Sequence, residues 1–228
     1  MNSAENAAER RVAWILLIAT PVGFGIICAF VMAGLAPGLD AGHPEEYLVA
    51  TCVAWAIISL VVPILRLANL VSLPPILIGV IYFDMFFYVL GLCSGCYLNI
   101  SWFGDFGHVV SSSIVTVIVF VGLCMIEAHS PAHVTFGNRT GMTIMLLLVA
   151  LSFGGVWEMI EGFTDGVTGN AYMVYGASDT MGDLSADLIG AFIVSVGVYL
   201  YLGNHVPSDI SSKVRLGRKS FEIDDEND

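Results

Sequence analysis

The sequence predicts an all-α protein, a six-helix transmembrane bundle with both termini cytoplasmic. Three observations predict it: few charges, apolar residues gathered in long unbroken runs, and basic residues confined to alternate connections. Of 228 residues, 57% are hydrophobic and 12% charged, and the mean hydropathy is +0.82. Soluble domains carry about 25% charged residues, so this chain has too few to cover a globule. That excludes a soluble α/β enzyme and a disordered chain. The 20 acidic residues outnumber the 8 basic ones, for a formal charge of −12. No basic stretch is dense enough to neutralise nucleic-acid phosphates. The expected partners are therefore membrane lipids and not nucleic acid.

Residues 1–11 form a cytoplasmic N-terminal segment ending in Arg10-Arg11. The apolar run after it, 12–36, extends well past the 7–15 residues of a signal-peptide core, so it reads as an uncleaved first span. Five further runs come at 47–65, 73–92, 108–126, 142–160 and 184–202. Each matches the ~20 residues needed to cross a ~30 Å hydrocarbon layer. Together they make a membrane domain over 12–203, and no internal repeat is evident. Residues 204–228 make an acidic tail that closes on Glu222-Ile223-Asp224-Asp225-Glu226-Asn227-Asp228, a composition that suits a solvated, disordered cytoplasmic end.

Six spans place Arg10, Arg11, Arg66, Arg139, Lys213, Arg215, Arg218 and Lys219 on one side and no basic residue on the other. The positive-inside rule makes that side cytoplasmic. The acidity and shortage of lysine suit a salt-adapted prokaryote, and hence its plasma membrane.

Ionisable residues in or beside spans cost ~2.5–3.5 kcal/mol each at mid-bilayer, so their placement is informative. Asp105 and His108 open span four, Glu158 and Glu161 close span five, and Asp179, Asp183 and Asp187 lead into span six. All reach the outer face, where no lysine or arginine stands to neutralise them. The pairs Asp105/His108 and Glu158/Glu161 are spaced i, i+3 and Asp183/Asp187 i, i+4, so each pair shares a helix face. Crowded acids need protonation, water or a cation. Carboxylates with one imidazole suit Zn²⁺, Mn²⁺ or Fe²⁺; an all-oxygen set suits Mg²⁺ or Ca²⁺. Asp105, Asp179 and Asp183 also suit helix N-terminal caps. Glu158 and Glu161, at the expected C-terminal end of a helix, do not. No tight ligand signature such as H-E-x-x-H is present.

Other positions carry weaker signals. Asp84 falls in the middle of span three and must point inward, as a helix–helix hydrogen bond or a proton-relay group. Cys93 and Cys96 form a C-x-x-C, read as two loop cysteines open to bridging. Cys28, Cys52 and Cys124 lie in apolar runs and read as small buried residues. His129 and His133 flank Pro131, which interrupts a helix and marks an interfacial turn. Gly154-Gly155, Gly190 and Gly197 are placed to let spans five and six pack closely.

Three runs, Trp102-Phe103-Gly104-Asp105-Phe106-Gly107-His108, then Trp157-Glu158-Met159-Ile160-Glu161, then Asp179-Thr180-Met181-Gly182-Asp183-Leu184-Ser185-Ala186-Asp187 with the subsequent Gly190-Ala191, carry a resemblance. Their order, an Asp-x-x-His, a Glu-x-x-Glu and Asp-rich residues before a Gly-Ala, resembles the VanZ-like superfamily of polytopic membrane proteins and its YjdF-like branch. The resemblance covers the C-terminal half. An arginine and an asparagine often precede the Asp-x-x-His in that branch; Ser101-Trp102-Phe103-Gly104 stands there in this chain. The resemblance implies a multi-pass membrane protein and no defined activity.

The residues themselves suggest an outward-facing acidic pocket and three functional classes. The first is a metal-assisted hydrolase or transferase acting on an envelope lipid or amphipathic substrate. There His108, Asp183 and Asp187 would hold a divalent cation, with Glu158, Glu161 and Asp105 as catalytic carboxylates. The second is a cation- or proton-coupled transporter with Asp84 extending the acidic path inward; Asp179 is a further candidate among the outer acids. The third is a non-catalytic scaffold.

Overall fold

The computed structural model of the chain describes residues 3–130 and 134–216. Pro131, His133 and the acidic run after Leu216 lie outside these residues. The chain is 79% helical. Its elements run α1 Ser3–Met32, α2 Pro37–Ala41, α3 Glu45–Ile58, α4 Val61–Leu67, β1 Val71–Ser72, α5 Pro75–Cys93, α6 Cys96–Asn99, α7 Phe103–His129, α8 Arg139–Thr168, α9 Ala177–Tyr201, α10 Pro207–Ser211 and β2 Arg215–Leu216. Among the described residues, six stretches are long and apolar enough to cross a membrane: Ala7–Met32, Glu45–Leu67, Pro75–Cys93, Phe103–His129, Arg139–Thr168 and Ala177–Tyr201. Many of their large apolar side chains are exposed, such as Ile76, Met159 and Phe163. Lipid, not a protein core, is the solvent that suits such surfaces.

The chain forms two compact units, one of Met1–Gly95 with Ser212–Asp228 and one of Cys96–Ser211. In the first, α1, α3–α4 and α5 pack together, and Phe24 of α1 stacks on Phe86 of α5 with ring centroids 4.3 Å apart. The second span is broken between α3 and α4 at Ser59-Leu60, upstream of Pro63. Proline has no N–H to give to the carbonyl four residues back, which here belongs to Ser59. The Tyr82 hydroxyl of α5 donates to that carbonyl instead (2.7 Å), while Ser59 Oγ donates to Ala56 O (2.7 Å) and adjoins Thr20 Oγ1 of α1 (3.0 Å). The break in the helix thus becomes a junction of three spans.

At the other end of this unit α2 abuts the end of α5; a Cβ on Gly38 would run into the Leu92 carbonyl. Cys93, the last residue of α5, is buried, as is Cys52 of α3. All five cysteines are free, so Cys93 and Cys96 are not bridged.

The second unit is α7, α8 and α9 with α6 and α10 attached. A core of Val119, Phe120, Leu123, Cys124, Met142, Leu146 and Val198 fills one end. Asn138 caps α8, its Oδ1 accepting from the N–H groups of Thr140 (3.0 Å) and Gly141 (3.1 Å). Gly169, at φ 69°, ends α8, as left-handed glycine commonly does.

Two differences from the sequence reading matter for the site. Helix α8 runs to Thr168 and α9 begins at Ala177, well beyond the apolar runs 142–160 and 184–202, because polar residues continue each helix past its hydrophobic core. The start of the expected disordered tail is ordered as well. Helix α10 packs against α7, and β2 pairs antiparallel with β1, Val71 opposite Leu216 and Ser72 opposite Arg215.

The Ser59 junction is testable. Tyr82→Phe should destabilise the detergent-solubilised protein by about 1–3 kcal/mol, the cost of leaving a buried carbonyl without its donor. Thermal unfolding followed by circular dichroism measures it.

Candidate functional site

The second unit brings three of the sequence motifs together. His108 lies in the second turn of α7, Glu158 and Glu161 inside α8, and Asp183 and Asp187 in the second and third turns of α9. Glu158, Glu161, Asp183 and Asp187 are 8%, 6%, 8% and 5% exposed, respectively. The longer α8 changes one part of the sequence argument. Glu158 and Glu161 are not at a helix end, so the helix dipole, which acts within the last turn, does not bear on them. Asp165 occupies that last turn.

Close packing delivers these carboxylates. A Cβ on Gly154 of α8 would collide with the Asp187 carboxylate, and one on Gly190 of α9 would collide with Ser112 Oγ and the Val109 carbonyl of α7. Only glycine lets α9 lie this near to both neighbours. Gly155 and Gly197, which the sequence also offered for this role, face open space.

The imidazole of His108 sits between two aspartates. Its Nδ1 donates to Asp187 Oδ1 (3.3 Å), and its Nε2 is 3.5 Å from Asp183 Oδ1. Ligand atoms of His108, Glu158 and Asp183 all lie within 4.8 Å of one another. Glu158 Oε1 is buried with no hydrogen-bond partner. Glu161 Oε1 accepts from Trp157 Nε1 (2.7 Å), an i, i+4 pair on α8. Arg139, the basic residue of α8, stacks over the Tyr199 ring 4.4 Å away. It lies nineteen residues before Glu158, or ~28 Å along the helix, too far to neutralise the acids.

The structure sorts the expected site residues. Asp187, expected as a metal ligand, meets His108 Nδ1, whereas Asp183 faces Nε2. Glu158, expected as catalytic, stands with His108 and Asp183 in the group whose atoms could hold an ion. Asp105 is exposed and near Gly182, outside that group. Asp179 Oδ2 accepts from the Tyr175 N–H (2.9 Å) and so holds the connection into α9. Asp84 is on α5, in the other unit.

Sequence reasoning missed Asp165. Its carboxylate accepts from the N–H groups of Tyr172 (3.0 Å), Met173 (3.1 Å) and Val174 (2.8 Å), clasping the connection back onto the end of α8. Burial, with Asp179, Asp165 and Glu161 nearby, raises the Tyr175 phenol above its ordinary value, so this residue stays neutral.

Six membrane-length helices and a polar cluster built from three of them define a multi-pass membrane protein. Residues 22–204 match the family described as Predicted membrane protein (DUF2238), and the chain belongs to that family. No curated protein and no solved structure matches it.

Substitution separates the glycines. Gly154→Ala and Gly190→Ala should each destabilise by about 1–3 kcal/mol, through overpacking. Gly155→Ala and Gly197→Ala should be neutral or stabilise by up to ~1 kcal/mol, because alanine is the better helix former. Denaturation midpoints of the four variants in one detergent decide it.

Proposed function

We propose that His108 Nε2, Glu158 and Asp183 form a divalent-cation centre, and that the protein is a metal-assisted hydrolase or transferase acting on an amphipathic substrate. The observation that carries this is a Glu158 carboxylate that lies within 4.8 Å of an imidazole and a second carboxylate and whose Oε1 is buried and unpartnered. A buried carboxylate oxygen without a donor is costly, and a cation is the partner the donor set suits. One nitrogen and two carboxylate oxygens favour Zn²⁺, Mn²⁺ or Fe²⁺ over Mg²⁺ or Ca²⁺.

Each side chain has a part in this reading. Asp187 holds His108 in the tautomer that keeps Nε2 free to ligate, the carboxylate–histidine arrangement common around metals. Trp157 fixes Glu161 through one oxygen and leaves the second to take a proton from water. A bound cation would supply Lewis acidity and a more acidic water. Exposed Met159, Phe163 and Met181 share helical stretches with the acids, so an apolar substrate tail would have lipid-like surface beside the polar head.

The same residues support the resemblance to the VanZ-like superfamily and its YjdF-like branch. The acidity and shortage of lysine support a prokaryotic plasma membrane, and the one-sided basic residues support cytoplasmic termini with the cluster at the outer leaflet.

Metal analysis tests the centre. Purified protein, dialysed against Zn²⁺ or Mn²⁺ and then desalted, should retain about one ion per chain. His108→Ala and Asp183→Asn should abolish retention, and Asp187→Asn should weaken it by roughly 10–100-fold. Equal, negligible metal in all four proteins removes the proposal.

A further inference from the structure

The first unit holds a cavity of about 240 Å³ between α1, α4, β1 and the start of α5. Its lining is graded. Leu16 of α1, Val62 of α4 and Ile78 of α5 make one end apolar, whereas Glu9, Arg66 and Ser72 meet at the other. There Glu9 Oε2 accepts from Arg66 Nε (3.1 Å) and from Ser72 Oγ (2.6 Å) and pairs with Arg66 Nη2 (3.0 Å). Along α1 the lining runs from Ala8 to Leu16, or ~12 Å of helix. Val12 and Pro75 line the cavity and are also exposed, so it opens onto the surface of the spans, beside the exposed Ile64 and Ile76.

Charge at the polar end is unbalanced. Glu9 answers Arg66, but both acceptors of Arg10 are neutral: its Nη1 donates to Asn69 Oδ1 (3.1 Å) and to the Leu67 carbonyl (3.4 Å). Arg66 Nη1 donates to the same Asn69 oxygen (3.4 Å), so two guanidinium groups converge on one amide. Among the described residues, Arg10 Nε and Nη2 have no partner. That edge of a guanidinium is suited to grip two phosphate oxygens side by side. A half-buried arginine held in place by neutral oxygens, with its bidentate edge open, is arranged for an anion that comes from outside the protein.

We propose that this cavity seats an anionic phospholipid: one acyl chain lies along Val12 and Leu16, and the phosphate sits on the open edge of Arg10, with Arg66 held beside it by Glu9. Drug-sized pockets run to ~300–1,000 Å³, so this smaller one takes part of a single chain and leaves the rest along the exposed apolar surface. The unbalanced arginines favour this occupant over a neutral lipid, since basic clusters at span ends attract anionic headgroups. The apolar end favours it over free phosphate, which would leave that end unfilled.

Native mass spectrometry of the full-length, delipidated protein in a non-ionic detergent tests this. The probes are dioleoylphosphatidylglycerol and dioleoylphosphatidylcholine, which share their acyl chains and differ in headgroup charge. The protein should retain one phosphatidylglycerol with an affinity roughly fivefold or more above that for phosphatidylcholine. Arg10→Gln should erase the preference, while Arg11→Gln, on an exposed side chain one residue away, should leave it. Val12→Trp, which fills the cavity, should lower retention of both lipids by roughly fivefold or more. Excess inorganic phosphate should not displace the lipid. Equal retention of the two lipids by the unmodified protein overturns the proposal, and that comparison needs no variant to fold. So does a preference that survives Arg10→Gln in a protein of unchanged helicity, or falls as much in Arg11→Gln. Retention indifferent to Val12→Trp, or lost to inorganic phosphate, overturns the acyl-chain part and with it the proposal.

Discussion

A carboxylate in an apolar layer needs a compensating partner, and the acid-rich end of the second unit is organised around His108. One ring nitrogen binds Asp187 and the other faces Asp183, with Glu158 close by. The imidazole ties two turns of α9 to the start of α7 while keeping one nitrogen directed at the remaining acids. Buried charges are tolerated when they pair or bind metal. The unpartnered Glu158 Oε1 marks the place where pairing within the protein stops.

That arrangement depends on backbone approach. Gly154 and Gly190 remove the side chains that would hold α9 away from α8 and α7. Asp165 and Asp179 then fix the connection between α8 and α9 from both sides, by accepting backbone N–H groups. Polar residues in this unit thus divide the labour. Some shape the chain around the site, and a smaller set, buried and close together, offers donor atoms.

The six spans were legible in the sequence because long apolar runs admit few alternatives. The convergence of His108 with Glu158 and Asp183 was legible too, since three spans with short connections return their polar ends to one face. Helix ends were less legible. Hydropathy stops at residue 160, whereas hydrogen bonding carries α8 to Thr168, so the dipole argument for Glu158 and Glu161 rested on a boundary that is not there. The roles within the cluster were also hidden. Spacing puts Asp183 and Asp187 on one face of α9 but does not say which ring nitrogen each will meet. Cys93 shows the same limit: the C-x-x-C spacing points to Cys96, while its thiol is buried and unbridged at the end of α5. The break in span two beside Pro63, and Tyr82 as its remedy, required three dimensions.

X-ray absorption at the Zn or Mn edge of the loaded protein tests the central claim most directly. A cation held by His108, Glu158 and Asp183 should show a mixed shell of nitrogen and oxygen at about 2.0–2.2 Å with the outer-shell scattering of one imidazole, and His108→Ala should show no bound-metal edge. An all-oxygen shell unchanged by that substitution would contradict it.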